Sequence, residues 1–108
     1  MPSRLATSAV IATLLAAAAH AGDIGTDDVA RLSEFVRQDC GSCHGLTLKG
    51  GLGSPLLPED IAHYDKKTLT EVILYGVPTT AMPGWEGVID KDEAEWIAEA
   101  LKDGRIAE

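Results

Sequence analysis

The chain has 108 residues, 45% hydrophobic, 24% charged and 5% aromatic, which is the size of one domain and not the composition of a disordered tail. Nine Lys and Arg against 17 Asp and Glu leave a net charge of -8, the opposite of the basic footprint that DNA or RNA binding requires, so no nucleic-acid partner is expected. Two cysteines, Cys40 and Cys43, are too few for a multi-disulfide scaffold, and their spacing suggests a site.

Residues 1–21 carry Arg4 near the start, an alanine-rich apolar stretch from Leu5 to Ala19, and then Ala19-His20-Ala21. Positive charge, apolar run and small-x-small triplet in that order predict a secretory signal cleaved before Gly22; the alternative, an uncleaved anchor, is barely long enough to span a bilayer. Cleavage takes 21 of the 108 residues and one of the nine basic groups, so residues 22–108 form an exported, acidic domain of 87 residues without stable membrane insertion. A domain this small buries a modest fraction of its surface and usually needs a staple, whether disulfide, metal or bound cofactor. Its only aromatic residues are Phe35, Tyr64, Tyr75, Trp85 and Trp96, so a bound group is expected to fill the centre.

The elements read as all-α, three main helices and two long loops. Asp27 is an N-cap candidate for a first helix over residues 28–38, where Val29, Leu32, Phe35 and Val36 share one face. Residues 46–58, rich in Gly and Pro and without sustained period, predict an irregular loop able to wrap closely against another group. Asp65 or Thr68 can cap a short second helix bearing Leu69, Val72, Ile73 and Tyr75, which Gly76 and Pro78 terminate. A second loop, residues 77–88, holds Met82-Pro83-Gly84-Trp85. Asp90 then caps a last helix whose apolar stripe is Ala94, Ile97, Ala98 and Leu101, with Trp96 beside it.

Between the first helix and the first loop lies Cys40-Gly41-Ser42-Cys43-His44. Cysteines at i and i+3 can project from one side of a helical turn, and a histidine at i+4 lies one turn beyond the first cysteine on that side. This is the attachment pattern for a covalent c-type haem: Cys40 and Cys43 form thioethers to the two vinyl groups, and the neutral His44 imidazole reaches the iron. Three other readings use the same residues. A thioredoxin-like pair would need βαβ patterning, a closed zinc site would need a fourth protein ligand, and a plain disulfide would leave the adjacent His44 without a role.

The sixth iron position needs a second ligand. Met82 is the one methionine after the predicted signal and sits in a loop stiffened by Pro78 and Pro83, which makes it the expected sulfur ligand. His63 is the rival, with a solvated surface histidine as its plainer interpretation.

The haem motif at the end of a first helix, a Gly/Pro loop, a short helix, Met82-Pro83 and a closing helix together resemble class I cytochrome c over residues 28–103. The stretches from His44 to Gly53 and from Ala81 to Trp85 are most similar to the small "five-fifty-X" type encoded beside the haem-cd nitrite reductase of denitrifying bacteria. With both iron positions taken by His44 and Met82, outer-sphere transfer is what remains, so a periplasmic monohaem electron carrier and not an enzyme is expected. A monomer is expected, since no large exposed apolar stripe demands a dimer. The resemblance implies a role in denitrification for this carrier. Its redox partner would be the haem-cd nitrite reductase, to which it gives electrons or whose special haem it helps to mature. A haem enzyme in which Met82 dissociates is a further alternative. The resemblance also implies that the Pro55 carbonyl accepts the His44 proton, although Ser54 intervenes where the usual order is Gly-Pro, and that Leu57 packs on the haem face. Trp85 is expected either at the haem edge or in ordinary core.

Overall fold

The computed structural model describes Ala9 and residues 24–106; apart from Ala9, the predicted signal and its cleavage point lie outside the described residues. Helix α1, Thr26–Phe35, runs on through a π-helical stretch, Val36–Cys40, into the single turn of α2, Gly41–His44. Then come α3, Pro58–Ile61, α4, Lys66–Tyr75, and α5, Lys91–Asp103, with no strand among the described residues.

Asp27 does not cap α1. Gly25 occupies the N-cap without a side-chain bond, and Asp27 and Asp28 lie in the first turn, where their charge meets the positive end of the helix dipole. Leu32 and Val36, four residues apart, are fully buried. The wider turns after Val36 change the phase of everything that follows, and this re-aims Cys40, Cys43 and His44 relative to the core-facing residues of α1.

Of the two candidate caps for α4, Asp65 is used: its carboxylate accepts from the Thr68 N–H at 2.7 Å. Helix α5 opens on a capping box, in which the Asp90 carboxylate accepts from the Glu93 N–H at 2.8 Å and the Glu93 carboxylate accepts from the Asp90 N–H at 3.1 Å. It ends at Gly104, left-handed at φ 74°. The predicted stripe of Ala94, Ile97, Ala98 and Leu101 is buried, and Trp96 sits at its edge beneath the Arg105 guanidinium, 5.5 Å from the ring centre.

Helices α4 and α5 pack most extensively against each other, and α1 crosses α5. Arg31 spans that crossing, pairing with Asp28 at 3.1 Å and with Glu93 of α5. Such exposed pairs contribute at most about 1 kcal/mol each, whereas burying a Leu or Ile side chain contributes about 1.5–3 kcal/mol, so apolar packing holds the helices together. The largest fully buried side chains are Leu32, Val36, Leu48, Ile97 and Ile106, all aliphatic. Phe35, Trp85 and Trp96 stay at the edge of this core, with Phe35 and Trp85 meeting edge to face at 5.1 Å, while Tyr64 and Tyr75 are exposed.

Candidate functional site

The core is concave. A cleft of about 970 Å³ opens between the α1–α2 rod on one side and α4, α5 and the second loop on the other. Leu56, Ile61, Leu69, Ile73, Ile97 and Leu101 form much of its wall, and Cys40, Cys43, His44, Met82 and Trp85 line it too. Close-packed interiors hold few voids larger than a water molecule, so a cleft of this size and apolar character is shaped for a large hydrophobic group.

Both cysteines are free thiols, Cys40 half-buried and Cys43 exposed. Burial, reinforced by the neighbouring Asp39 carboxylate, pushes the Cys40 thiol up to about 11, so it is uncharged at neutral pH. A thioether at this position would remove the ionisable proton altogether. Among the described residues, no group of three or more His, Cys, Asp or Glu side chains is arranged to hold a metal ion, which leaves the zinc reading without a donor set.

His44 closes the helical rod and is fixed by the loop that follows. Its Nδ1 lies 2.7 Å from the Ser54 carbonyl, which can only accept, so Nδ1 carries the proton and Nε2 keeps its lone pair for a metal. The loop curls tightly enough for the Gly53 N–H to reach the Cys43 carbonyl at 2.7 Å and the Gly50 N–H to reach the His44 carbonyl at 2.8 Å. At Gly53 the backbone passes against the imidazole itself: a Cβ there would stand 2.7 Å from Nδ1 and 2.8 Å from Cε1. The acceptor is therefore Ser54 and not Pro55, which lines the cleft instead. Leu57 is likewise displaced by one position. It is half-buried against the core as the N-cap of α3, while Leu56 lines the cleft.

Met82 is half-buried in a loop anchored along its length. The Val77 N–H donates to the Met82 carbonyl at 3.2 Å, the Met82 N–H to the Thr80 hydroxyl at 3.3 Å, and that hydroxyl to the Val77 carbonyl at 2.8 Å. Beyond it, the Trp85 N–H reaches the Ile73 carbonyl at 2.9 Å and ties the loop to α4. Gly76, at φ 73°, permits the close return, since a Cβ there would lie 2.5 Å from the Met82 carbonyl. Thr79, a β-branched residue at φ 65°, marks local backbone strain in this turn.

The structure thus brings Cys40, Cys43, His44, Pro55, Met82 and Trp85 to one cleft, and it adds His63, on the turn after α3. Ser54 and Leu56 are the site residues that the sequence reading missed. Their signal was the carbonyl and side chain immediately before the two residues singled out.

The family model described as Cytochrome C oxidase, cbb3-type, subunit III matches residues 27–99. The cytochrome c55X of Paracoccus denitrificans (strain Pd 1222) is 46% identical over 97 residues, covering 90% of this chain and 94% of its own. A solved structure of the c-type cytochrome NirC superposes with a TM-score of 0.76 at 42% identity, over 78% of this chain and 99% of that one. The dihydro-heme d1 dehydrogenase of Pseudomonas aeruginosa is 38% identical over 82% of this chain, which corresponds to 17% of the longer protein.

These matches define a class I c-type cytochrome, a monohaem electron-transfer protein with covalently bound haem c. Within that class the chain belongs to the cytochrome c55X family. Among the described residues no helix is long and apolar enough to cross a membrane.

Proposed function

We propose that residues 22–108 act in the periplasm as a monomeric carrier that passes single electrons to the haem-cd nitrite reductase during denitrification. In this reading Cys40 and Cys43 would hold the haem through thioethers, and His44 Nε2 and the Met82 sulfur would bind its iron. The observation that carries it is the His44–Ser54 hydrogen bond, which leaves Nε2 unprotonated on the wall of an apolar cleft that Cys40, Cys43 and Met82 also line. The haem supplies a one-electron iron couple.

The chain's own residues decide what that couple can do. An imidazole from His44 and a thioether from Met82, both supplied by the protein, would compete with substrate for the iron, which favours outer-sphere transfer over catalysis at the metal. The thioether is a weak donor and the walls are aliphatic, both of which favour the reduced state. The hydrogen bonds across the Met82 loop hold its backbone in place, which would keep reorganisation small when an electron is transferred. Without Arg4, residues 22–108 hold 8 basic and 17 acidic groups, and that net charge of -9 steers docking toward a partner with basic groups around its own redox centre. Oxidation of the ferrous protein by the haem-cd nitrite reductase, followed by stopped flow at rising ionic strength, tests this. The rate should fall with salt, and a flat or rising profile contradicts it.

A second reading, service in maturing the special haem of that reductase, is favoured by one observation. The chain is similar to a 17% portion of a protein named as a dihydro-heme d1 dehydrogenase. Capture by immobilised cytochrome distinguishes the two. A pure donor retains the mature reductase better, and a maturation partner retains the form lacking the special haem.

A further inference from the structure

His63 is exposed on the turn between α3 and α4, yet its ring lines the cleft, tilted 39° against the Tyr64 ring at 4.1 Å. Among the described residues, the charged side chains that line the cleft with it are Asp39 and Asp60, and no Lys or Arg does so. His44, the other imidazole there, is committed through Nδ1 to Ser54. Among the described residues, His63 is therefore the cleft-lining imidazole not engaged with the Ser54 loop. An electron entering a cleft walled by Ile and Leu adds negative charge where the dielectric is low, beside two carboxylates, and a neighbouring cation offsets it most effectively there.

We infer that His63 binds a proton when the cleft accepts an electron. The carrier then takes one electron from its donor protein and one proton from solvent, converting the imidazole to imidazolium, and gives up both on oxidation. This rests on the haem attachment proposed above. Other titratable or charged groups surround the turn. They are Asp60 on α3, Tyr64 beside it, Asp65 at the cap of α4, Asp39 on the π-helical stretch, and Lys102 of α5, whose ammonium donates to the Tyr64 carbonyl. Carboxyl, phenol and ammonium groups ordinarily change charge outside pH 5–8, and Asp65 is held lower still by its bond from Thr68, whereas imidazole is the side-chain type able to change charge inside that window.

The test is the midpoint potential of the haem-loaded protein, measured by spectroelectrochemistry from pH 5 to 9, for the wild type and H63Q. One coupled proton changes the equilibrium tenfold per pH unit, which converts to a fall of about 59 mV per unit where coupling is complete. The wild-type potential should fall as pH rises through neutrality, by no more than that slope, and H63Q should be flat. A flat wild type overturns the inference, and so does a slope that survives in H63Q. Nuclear magnetic resonance titration of the His63 ring in the wild type gives a check independent of the variant. Its midpoint must lie at higher pH in the reduced protein, and equal midpoints overturn the inference. Protein without covalent haem has no midpoint to measure and overturns the attachment and the inference together, whereas a red but pH-insensitive protein overturns the inference alone.

Discussion

His44 Nδ1 and the Ser54 carbonyl stand 2.7 Å apart, and that contact determines which imidazole nitrogen is left for a metal. The acceptor belongs to a loop whose own hydrogen bonds return it to the Cys43 and His44 carbonyls. The motif and the loop after it therefore form one rigid unit: the helix supplies the ring and the loop orients it.

Gly53 is the position in that unit where an added side chain would strike the imidazole itself. In Gly53→Ala the new methyl would meet the imidazole at 2.7–2.8 Å, and the ring can retreat only by giving up Ser54. The expected loss is about 0.5–1.5 kcal/mol of stability, the net value of a hydrogen bond whose partners water can reach. Urea unfolding of wild type and variant measures it, and an unchanged midpoint would show that the loop yields freely.

Met82→Ala removes the sulfur and leaves the loop hydrogen bonds, which involve Val77 and Thr80 through the backbone and a hydroxyl. The ferrous wild type should resist carbon monoxide, and the variant should bind it at once, with a matching change in the absorption spectrum. Rapid binding by the wild type would favour a haem enzyme with a labile methionine.

The capping box at the start of α5 links local and tertiary structure, because Glu93 bonds the Asp90 N–H and also pairs with Arg31 of α1. Asp90→Ala should cost about 1 kcal/mol, the usual value of an N-cap. For a domain of this size that lowers the melting temperature by about 4–8 °C. Glu93→Ala should cost at least as much, since it cuts the helix start and the helix crossing together; calorimetry on the two variants compares them.

Asp65 carries a pH dependence whose direction is set by its cap. The bond from Thr68 lowers its pKa in the folded chain, so the charged cap stabilises the fold above the usual carboxylate range, and that contribution disappears as pH falls through the lowered value. Asp65→Asn keeps an oxygen acceptor but no charge. The gap in urea midpoint between wild type and variant should be widest at pH 7 and close in strong acid; a gap independent of pH would contradict the assignment.

What could be read in advance depended on periodicity. The α5 stripe, the caps at Asp65 and Asp90 and the stop at Gly76 follow local rules, and all are found in the fold. The π-helical stretch broke the reading of the first helix, because a search at 3.6 residues per turn cannot see a change of pitch before Cys40. Helix α3 is a single turn begun by Pro58 and vanished into the Gly/Pro loop. In that same loop no repeating pattern sets the register, so Pro55 and Leu57 were each one residue late, for Ser54 and Leu56. His63 looked like a solvent-facing histidine because neither its exposure nor its sequence neighbours reveal the cleft beside it.

The central claim is that Cys40 and Cys43 tether a haem between His44 and Met82. It is tested most directly by the mass and absorption spectrum of the protein exported from a host able to form haem thioethers. One covalently added haem per chain, with a low-spin spectrum and a sulfur-to-iron band in the oxidised form, is the result expected. A colourless chain of unmodified mass, or one in which Cys40 and Cys43 are joined to each other, would contradict it.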